Sequence, residues 1–171
     1  MKILCDADGV AADMVPALFD AMKDNLKVED FPDWNIFERF TKEQNEEKDE
    51  ILGDPMFWAN LPLVDGAKKA IRLLKAAGHD IVWVTAPWDA CVGWEEARRF
   101  WIRENFGDDK VHTTHDKEEI EGDLFIDDKP DNIKKWKAAH PSKKAFLFDT
   151  PHNKKFNDAP RFSWDKVERL L

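Results

Sequence analysis

The chain has 171 residues, room for one ordinary domain or one core carrying a small insert, and its 43% apolar content, with twelve Phe and eight Trp, can build a core. Its 26 Lys and Arg stand against 35 Asp and Glu, and the resulting charge of −9 repels a nucleic-acid backbone and argues against a polynucleotide partner. Cys5 and Cys91 are too few for a disulfide framework, no uncharged run could span a bilayer, and Asp6 and Asp8 fall where the apolar stretch of a secretory signal would lie, so the cytoplasm is the expected compartment, with no membrane partner.

At the amino terminus, Ile3-Leu4-Cys5 reads as a buried strand that ends abruptly in Asp6-Ala7-Asp8-Gly9. Alternation along a strand would put both carboxylates on one face, and Gly9 lets the chain turn with positive φ, leaving them in a strand-end crevice. Like charges so close raise one another's pKa unless a cation neutralises them, and magnesium, a hard ion with oxygen ligands, suits the pair. A solvated acidic turn is the plain alternative. Helical spacing of Val15, Leu18, Phe19, Met22 and Leu26 then predicts a helix over 14–26. From 27 to 64 the character changes: Pro32, Pro55 and Pro62 punctuate a mixture of aromatics and a charged run from Lys42 to Glu50. This reads as a small, mostly helical insertion after the first strand.

Alternation of helices and strands resumes beyond it. Asp65-Gly66 opens a helix closed by Gly78, and Ile81-Val82-Trp83-Val84 is a buried strand ending at Thr85. A long helix over Trp94–Phe106 is closed by Gly107; short strands follow at Val111–Thr113 and Leu124–Ile126, the latter ending at Asp127-Asp128. A helix over Asp131–Ala139, a strand over Ala145–Phe148 and a terminal helix over Trp164–Leu171 complete the chain. Strands joined by helical crossovers imply an α/β fold with a mainly parallel sheet covered on both faces.

Several of these strands end in reactive side chains: Asp6 and Asp8, Thr85, then Asp127 and Asp128, with Lys117 in a loop between. Gathered at one sheet edge, they would supply carboxylates, a hydroxyl and an ammonium. That inventory fits phosphoryl transfer to a carboxylate, with a metal ion neutralising the phosphate oxygens. Alone, each element is bland, since a Thr after a strand is commonly a turn residue and a Lys in a charged loop is commonly solvated. The five His residues are scattered and form no zinc pattern.

Asp6-Ala7-Asp8-Gly9-Val10, the Ile81–Thr85 segment, Lys117 and Ile126-Asp127-Asp128 resemble the four motifs of the haloacid dehalogenase superfamily of phosphatases. Thr85-Ala86-Pro87, Arg98-Arg99-Phe100-Trp101, His115-Asp116-Lys117, Gly122 through Lys129, Phe148 through Pro151-His152-Asn153, and Ser163-Trp164 more closely resemble the 5′(3′)-deoxyribonucleotidase family. The resemblance implies a three-layer Rossmann-like core over 1–15 and 64–171, with a helical cap over 16–63. It implies a magnesium-dependent phosphatase acting on deoxyribonucleoside monophosphates, with Asp6 as nucleophile and Asp8 as acid and then base. Magnesium would be held by Asp6, the Asp8 carbonyl and Asp128, supported by Asp127, and the phosphate by Thr85, Ala86, Arg98 and Lys117. Two departures stand out: Ala86 replaces a common Ser, and Arg98 a common Lys.

By position and chemistry Met14, Trp34, Asn35 and Ile36 are candidates for contacts to a base, since flat aromatics suit a pyrimidine and Asn can read its edge. The alternative is that Trp34 and Phe57-Trp58 only join cap to core. Another small phosphate, such as a sugar phosphate, is the competing substrate, and a homodimer is compatible with the chain. A signalling receiver domain is disfavoured by Asp6-x-Asp8 on the first strand and by the long insertion. A catalytically silent binding module is disfavoured because Asp6, Asp8, Thr85, Lys117 and Asp128 are all intact.

Overall fold

The computed structural model describes residues 1–31 and 33–171; Pro32, one of the prolines expected to punctuate the insertion, lies outside them. Six strands, β1 (Lys2–Cys5), β2 (Asp80–Thr85), β3 (Lys110–Thr113), β4 (Leu124–Asp127), β5 (Lys144–Phe148) and β6 (Arg161–Phe162), form one sheet in the order β3-β2-β1-β4-β5-β6. Every neighbouring pair is parallel. The crossovers run outward one way from β1 to β3, then return to β4, so the strand order reverses between β1 and β4. In a doubly wound sheet the carboxyl edge at that reversal opens into a crevice.

Strand alternation divides the core in two. Ile3, Cys5, Ile81, Trp83, Leu124 and Ile126 face one side. Leu4, Val82, Val84, Phe125, Ala145 and Leu147 face the other, under Ile133 and Trp136 of a helix over Pro130–Ala139. Helices over Ala67–Ala76 and Trp94–Phe106 cover the first face. Both faces being buried, the central strands are apolar throughout rather than alternating with polar residues. Gly122 is a packing requirement: a Cβ there would lie 2.6 Å from Leu4 Cγ.

In chain order the α-helices are α1 (Met14–Ala21), α2 (Lys42–Leu52), α3 (Pro55–Ala59), α4 (Ala67–Ala76), α5 (Trp94–Phe106) and α6 (Pro130–Ala139). The first three, with 3-10 turns over Val28–Asp30 and Ile36–Arg39, make up the helical stretch between β1 and β2. This stretch leaves and re-enters the core on adjacent legs: Asp13 N donates to Pro62 O at 2.9 Å and Val64 N to Ala11 O at 2.8 Å. Its charged run is α2, started by a capping box in which Thr41 and Gln44 satisfy one another's backbone N–H groups.

Three local expectations are corrected. The helix predicted over 14–26 ends at Ala21, and Met22 is already extended. Beyond it, Lys23 N donates to Glu47 and Asp24 accepts from Gln44, so contacts with α2 and weak helix formers outweigh the apolar periodicity. The carboxyl-terminal helix is a 3-10 helix over Trp164–Leu170. β6, two residues long after Pro160, was not foreseen; it is too short to carry a periodic signal.

Candidate active site

The crevice at the carboxyl edge of β1 and β4 is a cavity of about 420 Å³, lined by Asp6, Asp8, Gly9, Lys117, Asp128 and Lys129 below and by residues of the α1–α2 stretch above. β1 ends at Cys5, and Asp6 then donates its N–H to Ile126 O at 2.9 Å, which fixes the first carboxylate against β4. One Asp6 oxygen accepts from Ala7 N at 2.7 Å; the other lies 2.7 Å from Lys117 Nζ. Gly9 has φ +73°, and a Cβ there would fall 1.9 Å from Asp128 Oδ2. That residue must be glycine for two reasons at once, backbone conformation and the closeness of Asp128.

Asp127 and Asp128 diverge although they are neighbours. Asp127 Oδ2 accepts from Lys117 Nζ at 2.8 Å and Asn132 Nδ2 at 3.0 Å, while Oδ1 accepts from Lys129 N at 2.7 Å. These bonds orient Lys117 and the start of α6, where Pro130 occupies the first turn. Asp128 faces the cavity, with His152 Nε2 3.3 Å from its Oδ2. Asn153 Nδ2 pins its backbone carbonyl at 2.8 Å.

Burial pushes the Asp6 carboxyl well above its ordinary value; Lys117 opposes this, and Asp127, Asp128 and Asp8 add to it. Burial likewise raises Asp128, against the hydrogen bond from His152. Burial alone would lower the Lys117 ammonium, but Asp127 and Asp6 overcome it and hold it charged above its ordinary value. Four carboxylates, Asp6, Asp8, Asp127 and Asp128, thus face two buried cations, Lys117 and Arg98. Oxygens of Asp6, Asp127 and Asp128 lie within 4.8 Å of one another, an all-oxygen donor set that fits magnesium.

The remaining sequence candidates separate. Met14, Trp34, Asn35 and Ile36 all line the cavity, as does Ala86. Thr85 is fully buried at the end of β2, does not line the cavity, and its hydroxyl has no hydrogen-bond partner among the described residues. Arg98 does not line the cavity; it is buried behind Asp8 and bonded to it at 2.6 Å. Trp58 donates its indole N–H to Leu52 O and packs against Phe57, Trp88 and Trp94, so it joins layers and leaves the cavity wall to Trp34. Sequence reasoning did not single out His152, Asn132, Lys129 or Trp88 as cavity residues. Asn132 and Lys129 were findable, since they begin the helix that follows the acidic pair.

The doubly wound sheet that carries this strand-end crevice recurs among solved structures. A D,D-heptose 1,7-bisphosphate phosphatase from B. bronchiseptica, complexed with magnesium and phosphate, has the same fold, with a TM-score of 0.52 at 14% identity over 100% of this chain and 98% of its own. The fold is also that of a Burkholderia xenovorans protein provisionally named a haloacid dehalogenase-like hydrolase, with a TM-score of 0.60 at 16% identity over 99% of this chain and 97% of its own. The model of the family described as 5′ nucleotidase, deoxy (pyrimidine), cytosolic type C matches residues 1–171, and the chain belongs to that family. A Bordetella pertussis protein provisionally named a 5′(3′)-deoxyribonucleotidase is 32% identical over 183 residues, covering 100% of this chain and 95% of that protein. The 5′(3′)-deoxyribonucleotidase of Clostridium acetobutylicum is 28% identical over 138 residues, covering 79% of this chain and 72% of its own. The chain is a phosphoric monoester hydrolase of the nucleotidase family. Among the described residues no helix is long and apolar enough to cross a membrane.

Proposed function

We propose that this phosphatase hydrolyses deoxyribonucleoside monophosphates to nucleoside and phosphate, with magnesium bound and through an aspartyl phosphate on Asp6. The observation that carries the reading is the Asp6 carboxylate, exposed to the cavity on one side and held by Lys117 at 2.7 Å on the other. An Asp6 oxygen attacks phosphorus as the bond to the leaving oxygen breaks, and Asp8 gives that oxygen its proton. Asp8, now ionised, takes a proton from water, whose oxygen attacks the acyl phosphate, releasing phosphate and restoring Asp6. Lys117 balances charge on the transferring group and keeps Asp6 oriented. Ala86, on the cavity wall, offers its N–H to a phosphate oxygen, and the Thr85 hydroxyl lies buried one residue behind it, where it could bond phosphate only if exposed by a local shift. Magnesium would be held by Asp6, the Asp8 carbonyl and Asp128, where it would neutralise phosphate charge; Asp127, which accepts from Lys117, Asn132 and Lys129 N, would support that set from the side.

The stretch over 16–63 acts as a cap, and Met14, Trp34, Asn35 and Ile36 receive the base and sugar. One base face stacked on an indole contributes about 1–3 kcal/mol, roughly ten- to a hundred-fold in selectivity. A 2′-hydroxyl against that apolar wall loses water without a partner, which favours deoxyribose. The test is phosphate release from dUMP, dTMP, UMP and glucose 6-phosphate with magnesium and after chelation. The expected result is a lead for the deoxynucleotides in kcat/KM, no turnover after chelation, and selective loss of the lead in Trp34→Ala. Full activity after exhaustive chelation overturns the mechanism; sugar phosphates leading overturns the substrate.

A further inference from the structure

The reaction above leaves one buried cation without a task. Arg98 sits on α5 with no solvent exposure, and its Nη2 donates to Asp8 Oδ1 at 2.6 Å. Its guanidinium carbon lies 5.3, 5.6 and 5.4 Å from the ring centres of Trp58, Trp94 and Trp101, an indole cage. The cage draws on two parts of the chain, because Trp58 belongs to α3 and the other two indoles to α5. Nε and Nη1 of Arg98 are buried and have no hydrogen-bond partner among the described residues. The cavity wall includes Asp8 but not Arg98, so the guanidinium stands behind the carboxylate rather than beside a bound phosphate.

We propose that Arg98 is the positioning residue for Asp8. The contact is single, from one N–H to one carboxylate oxygen, where a guanidinium could have offered two. It fixes the rotamer of Asp8 and leaves Oδ2 free to face the leaving oxygen. The indoles in turn fix the guanidinium: their faces attract the cation while closing off the water that would otherwise compete for it. Because Trp58 comes from the capping stretch, the aim of Asp8 depends on how α3 is seated. The site therefore contains two buried cations with separate duties. Lys117 serves Asp6, and Arg98 serves Asp8.

This inference rests on Asp8 as the acid of the proposed reaction, and the experiment separates the two. Wild type, Asp8→Asn, Arg98→Ala and Arg98→Lys are assayed on deoxyribonucleotide, a poor leaving group, and on p-nitrophenyl phosphate, a good one. If Asp8 is the acid and Arg98 aims it, Arg98→Ala loses about 100-fold in kcat/KM, which reports only the transfer to Asp6 and release of the leaving group, on the nucleotide and less than about fivefold on the aryl ester, as Asp8→Asn does more severely. Guanidinium chloride at about 10 mM, against sodium chloride at equal ionic strength, restores part of the nucleotide rate by filling the vacated cage, a response that a merely structural loss does not give. Arg98→Lys, which keeps the charge but not the planar fork, falls between and carries the same comparison if the alanine variant does not fold. Equal loss in kcat/KM on both substrates without guanidinium rescue overturns the proposal, as does a raised KM at unchanged kcat, which would make Arg98 a phosphate ligand. If Asp8→Asn shows no dependence on the leaving group, Asp8 is not the acid and the inference falls with that reading. If it does and Arg98→Ala does not, only the assignment of Arg98 falls.

Discussion

Gly9→Ala is the sharpest probe of the site, because the structure separates its two costs. The first is backbone: Gly9 has φ +73°, where an alanine costs about 1–2 kcal/mol. The second is collision, since the new Cβ would stand 1.9 Å from Asp128 Oδ2 and 2.6 Å from its Cγ. Neither gap accommodates a methyl, so the carboxylate must swing away, breaking its contact with His152. Gly78→Ala isolates the first cost, because Gly78 has φ +81° and nothing within 4 Å of a Cβ. In a chain of this size 1–2 kcal/mol corresponds to about 2–8 °C in Tm. Gly78→Ala should lose that much in thermal unfolding in chelator and Gly9→Ala more, but only Gly9→Ala should bind magnesium at least about tenfold more weakly by calorimetry and lose turnover accordingly. Equal magnesium affinity in the two variants would refute the placement of Asp128 as a ligand held against the Gly9 turn.

Three further outcomes follow from the same geometry. Lys117→Met leaves Asp6 and Asp127 buried without their cation and should cost about 3–5 kcal/mol in the metal-free protein, measured by denaturant unfolding in chelator; a loss under about 1 kcal/mol contradicts the pairing. Asp6 and Asp128 are raised by burial, so the native chain binds more protons than the unfolded one, and metal-free stability falls as pH rises from about 3.8 through their native values. Magnesium needs the ionised forms, so its increment in Tm should grow as pH rises from about 3.8 through their native values, and an increment independent of pH in differential scanning is the contrary result. Gly122→Ala drives a Cβ to 2.6 Å from Leu4 Cγ and should cost about 1–3 kcal/mol while kcat per folded molecule is unchanged; a fall in kcat would mean that the far end of β1 transmits strain to Asp6.

The core was readable because its strands are buried on both faces and its helices are closed by glycines. β2 and β4 could be placed from their apolar runs, and the acidic and hydroxyl residues at the strand ends then fell at one edge without further assumption. The stretch between β1 and β2 was readable only as helical. Its α1 stops early because Asp24 and Lys23 find partners on α2, and no local pattern announces a contact between segments twenty residues apart. Arg98 shows the same limit within the site. Its type and position on α5 suited a phosphate ligand, but which side of Asp8 it occupies is decided by three indoles, one of them from α3. Trp34 and Trp58 are likewise indistinguishable as letters. Packing sends one to the cavity wall and the other into the layer beneath.

The paired legs at Ala11–Asp13 and Pro62–Val64 bear on how the chain folds. Cys5 and its register partner Trp83 are separated by about 78 positions, a long loop to close before the central strands can pair. Once Val64 N–H is bonded to Ala11 O, the path from one strand to the other shortens to about 25 residues. The entropy of bringing β1 to β2 then falls by about 1 kcal/mol, and it no longer depends on how many residues lie beyond the legs. The sheet is thereby insulated from its insertion. The stretch that walls the cavity can lengthen, shorten or change its side chains while the central strands meet at the same cost.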